Sequence, residues 1–265
     1  YELHKEQLMR DFTKQQKEIN KLEDYIRKNK VRAATAAQAK AREKKLMKID
    51  KIEISKQKPK PHFDFKFSKP SWSVIFKTKN WVIGYDTPLT KQLNLKMEKN
   101  KKIAIIGANG IGKTTLLKTL MKVINPIEGK VMLDEQHLDI GYYEQENYYT
   151  ENVVIDEISN EFPKNTKTEV RRMLARCGLT DEHINSKLCK LSGGEQAKVR
   201  LCKVINNPSN ILFLDEPTNH LDVDAKEELK RALINYDGSI VLVSHDRDFY
   251  KDIVTTVWNC ENWII

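Results

Sequence analysis

Apolar positions near the start of the chain recur at helical spacing. Leu8, Phe12, Ile19, Leu22 and Ile26 are separated by intervals built from three and four residues. Such spacing gives a narrow apolar stripe on one side of a helix, like the seam of a coiled coil. The pattern therefore predicts one long amphipathic helix.

A second helical stretch follows the first. Residues 33–56 contain no Gly or Pro and begin with an alanine-rich run, which favours helix. Two helices of about 25 residues, each about 38 Å long, most simply fold back as an antiparallel hairpin with its turn near residues 28–32, although one straight helix is an alternative. The prolines at 59 and 61 end the helix because proline lacks the amide hydrogen. We expect a helical hairpin over residues 1–58 and a linker rich in Pro and Lys over residues 59–70.

Short apolar runs alternate with amphipathic stretches in the remaining chain, residues 71–265. This alternation predicts an α/β domain with a largely parallel sheet. Strands are expected near residues 74–76, 81–85, 103–106, 131–133, 211–214 and 240–243, and helices near residues 113–122, 167–177, 195–205 and 225–235.

A glycine-rich segment lies between a predicted strand and a predicted helix. It reads Gly-Ala-Asn-Gly-Ile-Gly-Lys-Thr-Thr and fits the phosphate-loop pattern GxxxxGK[ST]. Its glycines let the backbone wrap a phosphate, so that amide hydrogens and the positive end of the helix face the anion. The lysine is expected to reach the outer phosphates and the first threonine to ligate Mg²⁺. The predicted binding residues are Gly107, Asn109, Gly110, Gly112, Lys113, Thr114 and Thr115.

Two adjacent carboxylates follow the apolar run at residues 211–214. They stand where a strand of a parallel sheet would end, which is where ligands of such sheets bind. Alone, such a pair usually marks a turn or a helix start. Together with the phosphate loop, it predicts that Asp215 holds Mg²⁺ and that Glu216 orients and deprotonates an attacking water.

The segment Leu-Ser-Gly-Gly-Glu-Gln at residues 191–196 resembles the signature motif of ATP-binding cassette proteins. A serine-capped helix is the alternative reading, since the serine and the glutamate also fit a capping box. The resemblance implies a P-loop NTPase fold, ATP as ligand, and a second anion site at a helix start that contacts the γ-phosphate. The implied contact residues are Ser192, Gly193, Gly194 and Glu195.

Three further positions match this family. The resemblance implies that Gln145 contacts Mg²⁺ and water, that His245 contacts the γ-phosphate, and that Tyr85 stacks on adenine. Each of these residues alone is weak evidence for a nucleotide site, because a lone Gln is usually on the surface and a lone Tyr is usually in the core. In this family the signature of one cassette completes the ATP site of another, so the chain is expected to pair with a copy of itself or with a second cassette.

The segment Thr-Asn-His-Leu-Asp at residues 218–222 resembles class F of the superfamily. That resemblance implies two tandem cassettes joined by a helical hairpin, and an ATPase that acts on the ribosome. Residues 1–58 would then be the hairpin between cassettes and residues 71–265 the second cassette. The alternatives are the ATPase subunit of a membrane transporter, and a chromosome or DNA-repair ATPase with a coiled coil.

Charge is distributed unevenly along the chain. Residues 1–60 hold 18 Lys and Arg against 9 Asp and Glu, whereas the rest holds 28 of each. A local basic field predicts contact with the phosphates of rRNA or tRNA, although a solvated helix face is the alternative. The candidate contacts are Arg27, Lys28, Lys30, Arg32, Lys40 and Arg42.

Apolar runs in the chain are short. None approaches the roughly 18 to 20 residues that a membrane-spanning helix needs. The N-terminal stretch is polar, and the four cysteines form no CxxC pair. We therefore expect a cytoplasmic protein without a membrane span.

Overall fold

A computed structural model gives the architecture in two units, and each is described by itself. The units are Tyr1–Gln57 and Lys58–Ile265. The structure describes residues 2–29, 36–47, 59–145 and 150–265.

Two helices form the first unit: α1 (Glu2–Asn29) and α2 (Ala36–Met47). The Tyr25 hydroxyl donates to Gln38 Oε1 at 2.9 Å, near the end of α1 and the start of α2. Lys45 Nζ pairs with Glu18 Oε1 at 2.8 Å, further back along α1 and further on along α2. The two helices are therefore antiparallel, which confirms the hairpin over the single straight helix.

The apolar stripe of α1 is confirmed where its side chains are described. Ile19 is buried, and Leu22 and Ile26 are half-buried. Residues 30–35, which hold part of the predicted turn, and residues 48–56 of the predicted second helix lie outside the described residues.

Eight strands and seven α-helices are described in the second unit. The strands are β1 (Val74–Val82), β2 (Lys96–Glu98), β3 (Lys102–Ile106), β4 (Glu128–Leu133), β5 (Ile140–Tyr143), β6 (Ile211–Asp215), β7 (Ser239–Val243) and β8 (Thr256–Asn259). The helices are α3 (Lys113–Leu120), α4 (Val154–Glu161), α5 (Lys167–Arg176), α6 (Asp181–Ile184), α7 (Gly193–Asn206), α8 (Val223–Ile234) and α9 (Arg247–Tyr250), with 3-10 turns at Leu188–Lys190 and Cys260–Trp263.

The predicted α/β fold is confirmed by a five-stranded parallel sheet. Its strand order is β5-β6-β7-β3-β8, and all four pairings are parallel. Every residue of β6 and β7 is buried, as expected for strands covered on both faces. The carboxyl ends of β3, β6 and β7 therefore meet at one edge of the sheet.

Side-chain alternation along β6 decides where the carboxylates point. Ile211 and Phe213 pack in the same apolar cluster as Leu116 and other residues of α3, whereas Leu212 packs in the cluster on the opposite face. Because successive side chains of a strand point to opposite faces, Asp215 belongs to the α3 face. The fold thus brings the acidic strand end to the helix that follows the glycine-rich loop.

A second, antiparallel sheet has the order β2-β1-β4. The two strands predicted at residues 74–76 and 81–85 are one strand, β1, which ends at Val82. Asn80 has a positive φ of 46°, and the register to β4 is irregular between Lys79 and Val82. This bulge interrupts the apolar pattern without ending the strand.

The segment predicted as a linker, residues 59–70, packs against the cassette. Phe63 and Phe65 are buried in the core. The Phe63 amide donates to Glu228 Oε1 at 2.8 Å, and the Ser68 amide donates to the Ser209 carbonyl at 3.0 Å. Apolar residues at every second position therefore hold this segment in the second unit.

No helix among the described residues combines the length and the apolar character needed to cross a membrane.

Candidate functional site

The glycine-rich loop leaves the carboxyl end of β3 and leads into α3. Gly112 caps α3 in the left-handed region, with φ 102°. A Cβ atom there would also lie 3.1 Å from Leu89 Cδ1. Both the backbone angle and the close approach favour glycine at this position.

Lys113 is buried at the first turn of α3. Its ammonium donates to the carbonyls of Gly107 at 2.8 Å and Ala108 at 2.9 Å. An ammonium has three N–H donors, so one remains for an anion in the loop. The amides at the start of α3 add the positive end of the helix dipole.

Asp215 ends β6 beside the first turn of α3. The Thr114 hydroxyl donates to Asp215 Oδ2 at 2.6 Å, and Asp215 Oδ1 has no hydrogen-bond partner among the described residues. Burial raises the pKa of the Asp215 carboxyl; the Thr114 hydrogen bond opposes this rise, and the nearby Glu216 carboxyl adds to it. A buried carboxylate oxygen without a partner suits a cation.

Glu216 follows directly and is buried, with a positive φ of 48°. Its Oε1 lies 3.0 Å from His245 Nδ1, and its Oε2 has no hydrogen-bond partner among the described residues. His245 stands two residues after β7, the neighbouring strand in the sheet. A left-handed, non-glycine carboxylate with one oxygen held and one available suits a general base.

These groups converge on one cleft of about 420 Å³. Asn219 was not predicted as a site residue, but it also lines the cleft, and its amide donates to the Glu216 carbonyl at 3.1 Å. The signal that could have found it is its place three residues after Glu216. The predicted residues that line the cleft are Asn109, Gly110, Gly112, Lys113, Thr114, Thr115, Gln145, Asp215, Glu216 and His245.

Tyr85, predicted to stack on adenine, does not line this cleft. It follows β1, and 64% of its surface is exposed. Its role as an adenine contact stays a prediction.

The signature segment also lies outside the cleft lining. Ser192 caps α7: its Oγ accepts the Glu195 amide at 3.4 Å, and its own amide donates to Glu195 Oε2 at 2.9 Å. The capping box is therefore formed. The role of residues 192–195 in phosphate binding stays a prediction.

The start of α7 is closely packed against the segment that follows Glu216. A Cβ atom on Gly194 would lie 2.6 Å from the His220 carbonyl oxygen, and one on Gly193 would lie 3.3 Å from the His220 ring. Lys198 Nζ, on α7, pairs with Asp222 Oδ2 at 2.7 Å. The signature helix and the carboxylate segment are thus joined at two points.

The candidate RNA contacts of the hairpin are exposed where the structure describes them. Arg27 pairs with Asp24 at 2.5 Å, and the Arg42 guanidinium lies 3.4 Å from the centre of the Tyr25 ring. The exposed cations are Arg27, Lys28, Lys40 and Arg42, whereas Lys30 and Arg32 lie outside the described residues.

The chain is similar to known ATP-binding cassette proteins. Two family models described as ABC transporter match the chain, one over residues 90–219 and an extension model over residues 1–65. The chain is 56% identical to the ABC transporter ATP-binding protein YfmM of Bacillus subtilis (strain 168), over 99% of this chain and 51% of that protein. It is 37% identical to ABC transporter F family member 2 of Arabidopsis thaliana, over 92% of this chain and 37% of that protein.

Among solved structures, an ATP-binding cassette in a dimeric post-hydrolysis state bound to ADP and Pi matches with a TM-score of 0.59. It is 23% identical and covers 70% of this chain and 94% of that chain, so it supports the fold alone. The chain spans about half the length of YfmM and less of the Arabidopsis protein. With its cassette, its N-terminal extension and these relatives, the chain belongs to the ABC-F family of ATP-binding cassette proteins.

Proposed function

We propose that the chain binds and hydrolyses ATP as one of two cassettes of a ribosome-associated translation factor, in which ATP binding controls a basic hairpin. The observation that carries the proposal is the convergence of the phosphate loop, the Thr114–Asp215 pair and the Glu216–His245 pair on one cleft. Phosphoryl transfer needs groups of these kinds, because it depends on positioning and on charge stabilisation.

The residues around Asp215 fit Mg²⁺. Thr114, Gln145 and Asp215 line the cleft. The side chain of each carries oxygen, and Mg²⁺ prefers oxygen ligands. The Asp215 oxygen without a partner is the atom we expect to act first as a ligand, directly or through water. When bound, Mg²⁺ would neutralise charge on the phosphates.

Other residues of the chain are assigned to phosphate binding and to activation of the attacking water. Lys113 and the loop amides bind the outer phosphates. His245 Nδ1 holds Glu216 Oε1, so that Oε2 accepts a proton from the attacking water. The other ring nitrogen of His245, Nε2, is the atom we assign to the γ-phosphate.

A second cassette completes the site in this proposal. The signature residues do not line the cleft of their own chain, which is expected if they serve a partner's ATP. The coverage of about half of YfmM supports this arrangement, because it leaves room for a second cassette in the longer relative. The partner is a second cassette of a longer polypeptide or a copy of this chain.

The hairpin supplies the proposed contact with rRNA and tRNA. Its exposed Lys28 and Lys40 are available to phosphates, and such contacts bind RNA with strong salt dependence. Closure of two cassettes on ATP would set the hairpin for binding, and hydrolysis would release it. The competing hypothesis is the ATPase subunit of a membrane transporter. A basic hairpin has no evident role in such a subunit.

The catalytic part is tested by Glu216→Gln. Loss of the general base should slow ATP hydrolysis by about 10²- to 10⁴-fold, while ATP affinity stays near that of the wild type. Glu227→Gln is the matched control, because Glu227 is exposed on α8 outside the cleft. Wild-type turnover in the Glu216→Gln protein, assayed with its partner cassette and Mg²⁺, would contradict the assignment.

The ribosomal part is tested by cosedimentation of the full-length protein that carries Glu216→Gln. We expect retention on ribosomes with ATP and release without it. Equal ribosome occupancy in both conditions would contradict the switch. Sedimentation with membranes instead would favour the transporter hypothesis, and sedimentation with DNA would favour a chromosome ATPase.

A further inference from the structure

Four lysines share the outer face of the antiparallel sheet, and we call them the lysine face: Lys77, Lys79, Lys96 and Lys130. Lys77 on β1 stands directly opposite Lys96 on β2, and Lys79 stands directly opposite Lys130 on β4. All four are exposed. The alternate residues Phe76, Thr78, Met97 and Val131 are buried on the other face. The four ammonium groups therefore project from one side of the sheet.

This arrangement is unfavourable for the folded sheet by itself. Side chains directly opposite on antiparallel strands have Cβ atoms about 4.5–5.5 Å apart, and like charges at that distance destabilise the pair. Lys96 is compensated by Glu98, at 2.8 Å. The structure gives Lys77, Lys79 and Lys130 no carboxylate partner among the described residues. The Lys79–Lys130 pair thus remains without a compensating carboxylate among the described residues, and Lys77 stands opposite a lysine whose charge is already paired.

The charge on this face is local. Residues 61–265 hold 28 Lys and Arg and 28 Asp and Glu, so the cassette is neutral as a whole. The other exposed residues of the three strands are Asn80, Glu98, Glu128, Gly129 and Met132, and none is aromatic. Without aromatic side chains the face is not suited to stacking on unpaired bases. It is suited to a row of phosphates.

We propose that the lysine face is a second RNA-contacting surface, which binds the phosphate backbone of double-stranded RNA without reading its sequence. The proposal rests on the proposed function for its RNA partner and adds a surface of the cassette to the hairpin. Lysines that contact phosphates fix position and affinity rather than sequence. The partner's phosphates would relieve the repulsion between the paired lysines.

The test compares three proteins that each lose surface lysines. The lysine-face variant carries Lys77→Gln, Lys79→Gln and Lys130→Gln. The matched control loses the same charge at exposed positions outside the sheet, with Lys66→Gln, Lys69→Gln and Lys164→Gln. A hairpin variant carries Lys28→Gln and Lys40→Gln. Each chain is titrated with a fluorescent 20-base-pair RNA duplex at salt concentrations between 50 and 200 mM.

We expect the lysine-face variant to bind the duplex at least about tenfold more weakly at 100 mM salt, with the salt slope reduced by about 2 to 3. The matched control should bind like the wild type. The thermal midpoint of the lysine-face variant should not fall, because its substitutions remove like-charge pairs. Equal weakening in the control and the lysine-face variant, or a lower midpoint in the latter, would overturn the proposal.

The hairpin variant separates this inference from the proposed function. If it loses RNA affinity while the lysine-face variant keeps it, the inference fails and the proposed function stands. If the wild-type chain binds no duplex but binds phosphatidylserine vesicles through the same lysines, the inference fails in favour of a lipid partner. Loss in both variants supports two RNA-contacting surfaces.

Discussion

The ion pair between Lys198 and Asp222 gives a prediction with an unusual asymmetry. Lys198, on the signature helix, keeps only 6% of its side chain exposed, whereas Asp222 keeps 48%. Asp222 also caps α8, since its Oδ1 accepts the Ala225 amide at 2.9 Å. Removal of Asp222 therefore leaves a buried ammonium unpaired and removes a helix cap. Removal of Lys198 leaves only a half-exposed carboxylate without its ion-pair partner.

Asp222→Ala leaves the buried ammonium of Lys198 without its partner and removes a helix cap. Loss of one partner of a buried pair costs about 3–5 kcal/mol, and loss of the cap about 1 kcal/mol more. Lys198→Met removes the buried charge and leaves an Asp222 that water can solvate, so we expect a change of about 1 kcal/mol or less. In the Lys198→Met background, Asp222→Ala should then cost only the cap, about 0.5–2 kcal/mol.

Urea unfolding followed by tryptophan fluorescence measures these differences. The four tryptophans, Trp72, Trp81, Trp258 and Trp263, all lie in the second unit, so the signal reports the cassette. With a slope of about 2–3 kcal/mol per M, a loss of 3–5 kcal/mol lowers the midpoint by about 1–2.5 M. Equal losses for Asp222→Ala in the wild-type and Lys198→Met backgrounds would refute the reasoning.

Two further predictions concern the core and the metal site. Phe63→Ala should destabilise the cassette by about 3–5 kcal/mol because Phe63 is fully buried, whereas Phe67→Ala, at a residue 39% exposed, should cost clearly less; equal thermal midpoints would contradict the packing of residues 59–70. Asp215→Asn should raise the unfolding midpoint at pH 7, because burial raises the pKa of Asp215 and so penalises its charged form in the folded state. This gain should shrink as the pH falls through the raised pKa toward that of the unfolded chain, and a gain independent of pH would contradict it.

Local pattern and local chemistry predicted the phosphate loop and the three inner strands of the parallel sheet, β6, β7 and β3. Four consecutive residues in each of β6 and β7, residues 211–214 and 240–243, are apolar and buried. Asp215 ends β6, and Glu216 follows it directly. What the pattern could not give is the contact between Thr114 and Asp215, which are 101 residues apart. That contact depends on the face to which the strand turns its last side chain.

The differences between the predicted and the observed elements also have local causes. Asn80 breaks the apolar pattern of β1, and a left-handed asparagine inside a strand is indistinguishable in sequence from a turn. Strands β2, β5 and β8 have only three or four residues, too few for a period to show. In residues 59–70 the prolines at 59 and 61 predict a linker, although Phe63 and Phe65 already alternate with polar residues.

The central claim is that nucleotide phosphates bind in the glycine-rich loop around Lys113. The most direct measurement is ATP affinity, by calorimetry in the presence of Mg²⁺ and the partner cassette, for the wild type and for Lys113→Ala, with Lys91→Ala at an exposed position as control. Loss of a hydrogen bond to a charged group is worth about 1.5–3 kcal/mol, so Lys113→Ala should weaken ATP binding by about 10- to 150-fold. Unchanged affinity in Lys113→Ala, or no ATP binding by the wild type, would contradict the account.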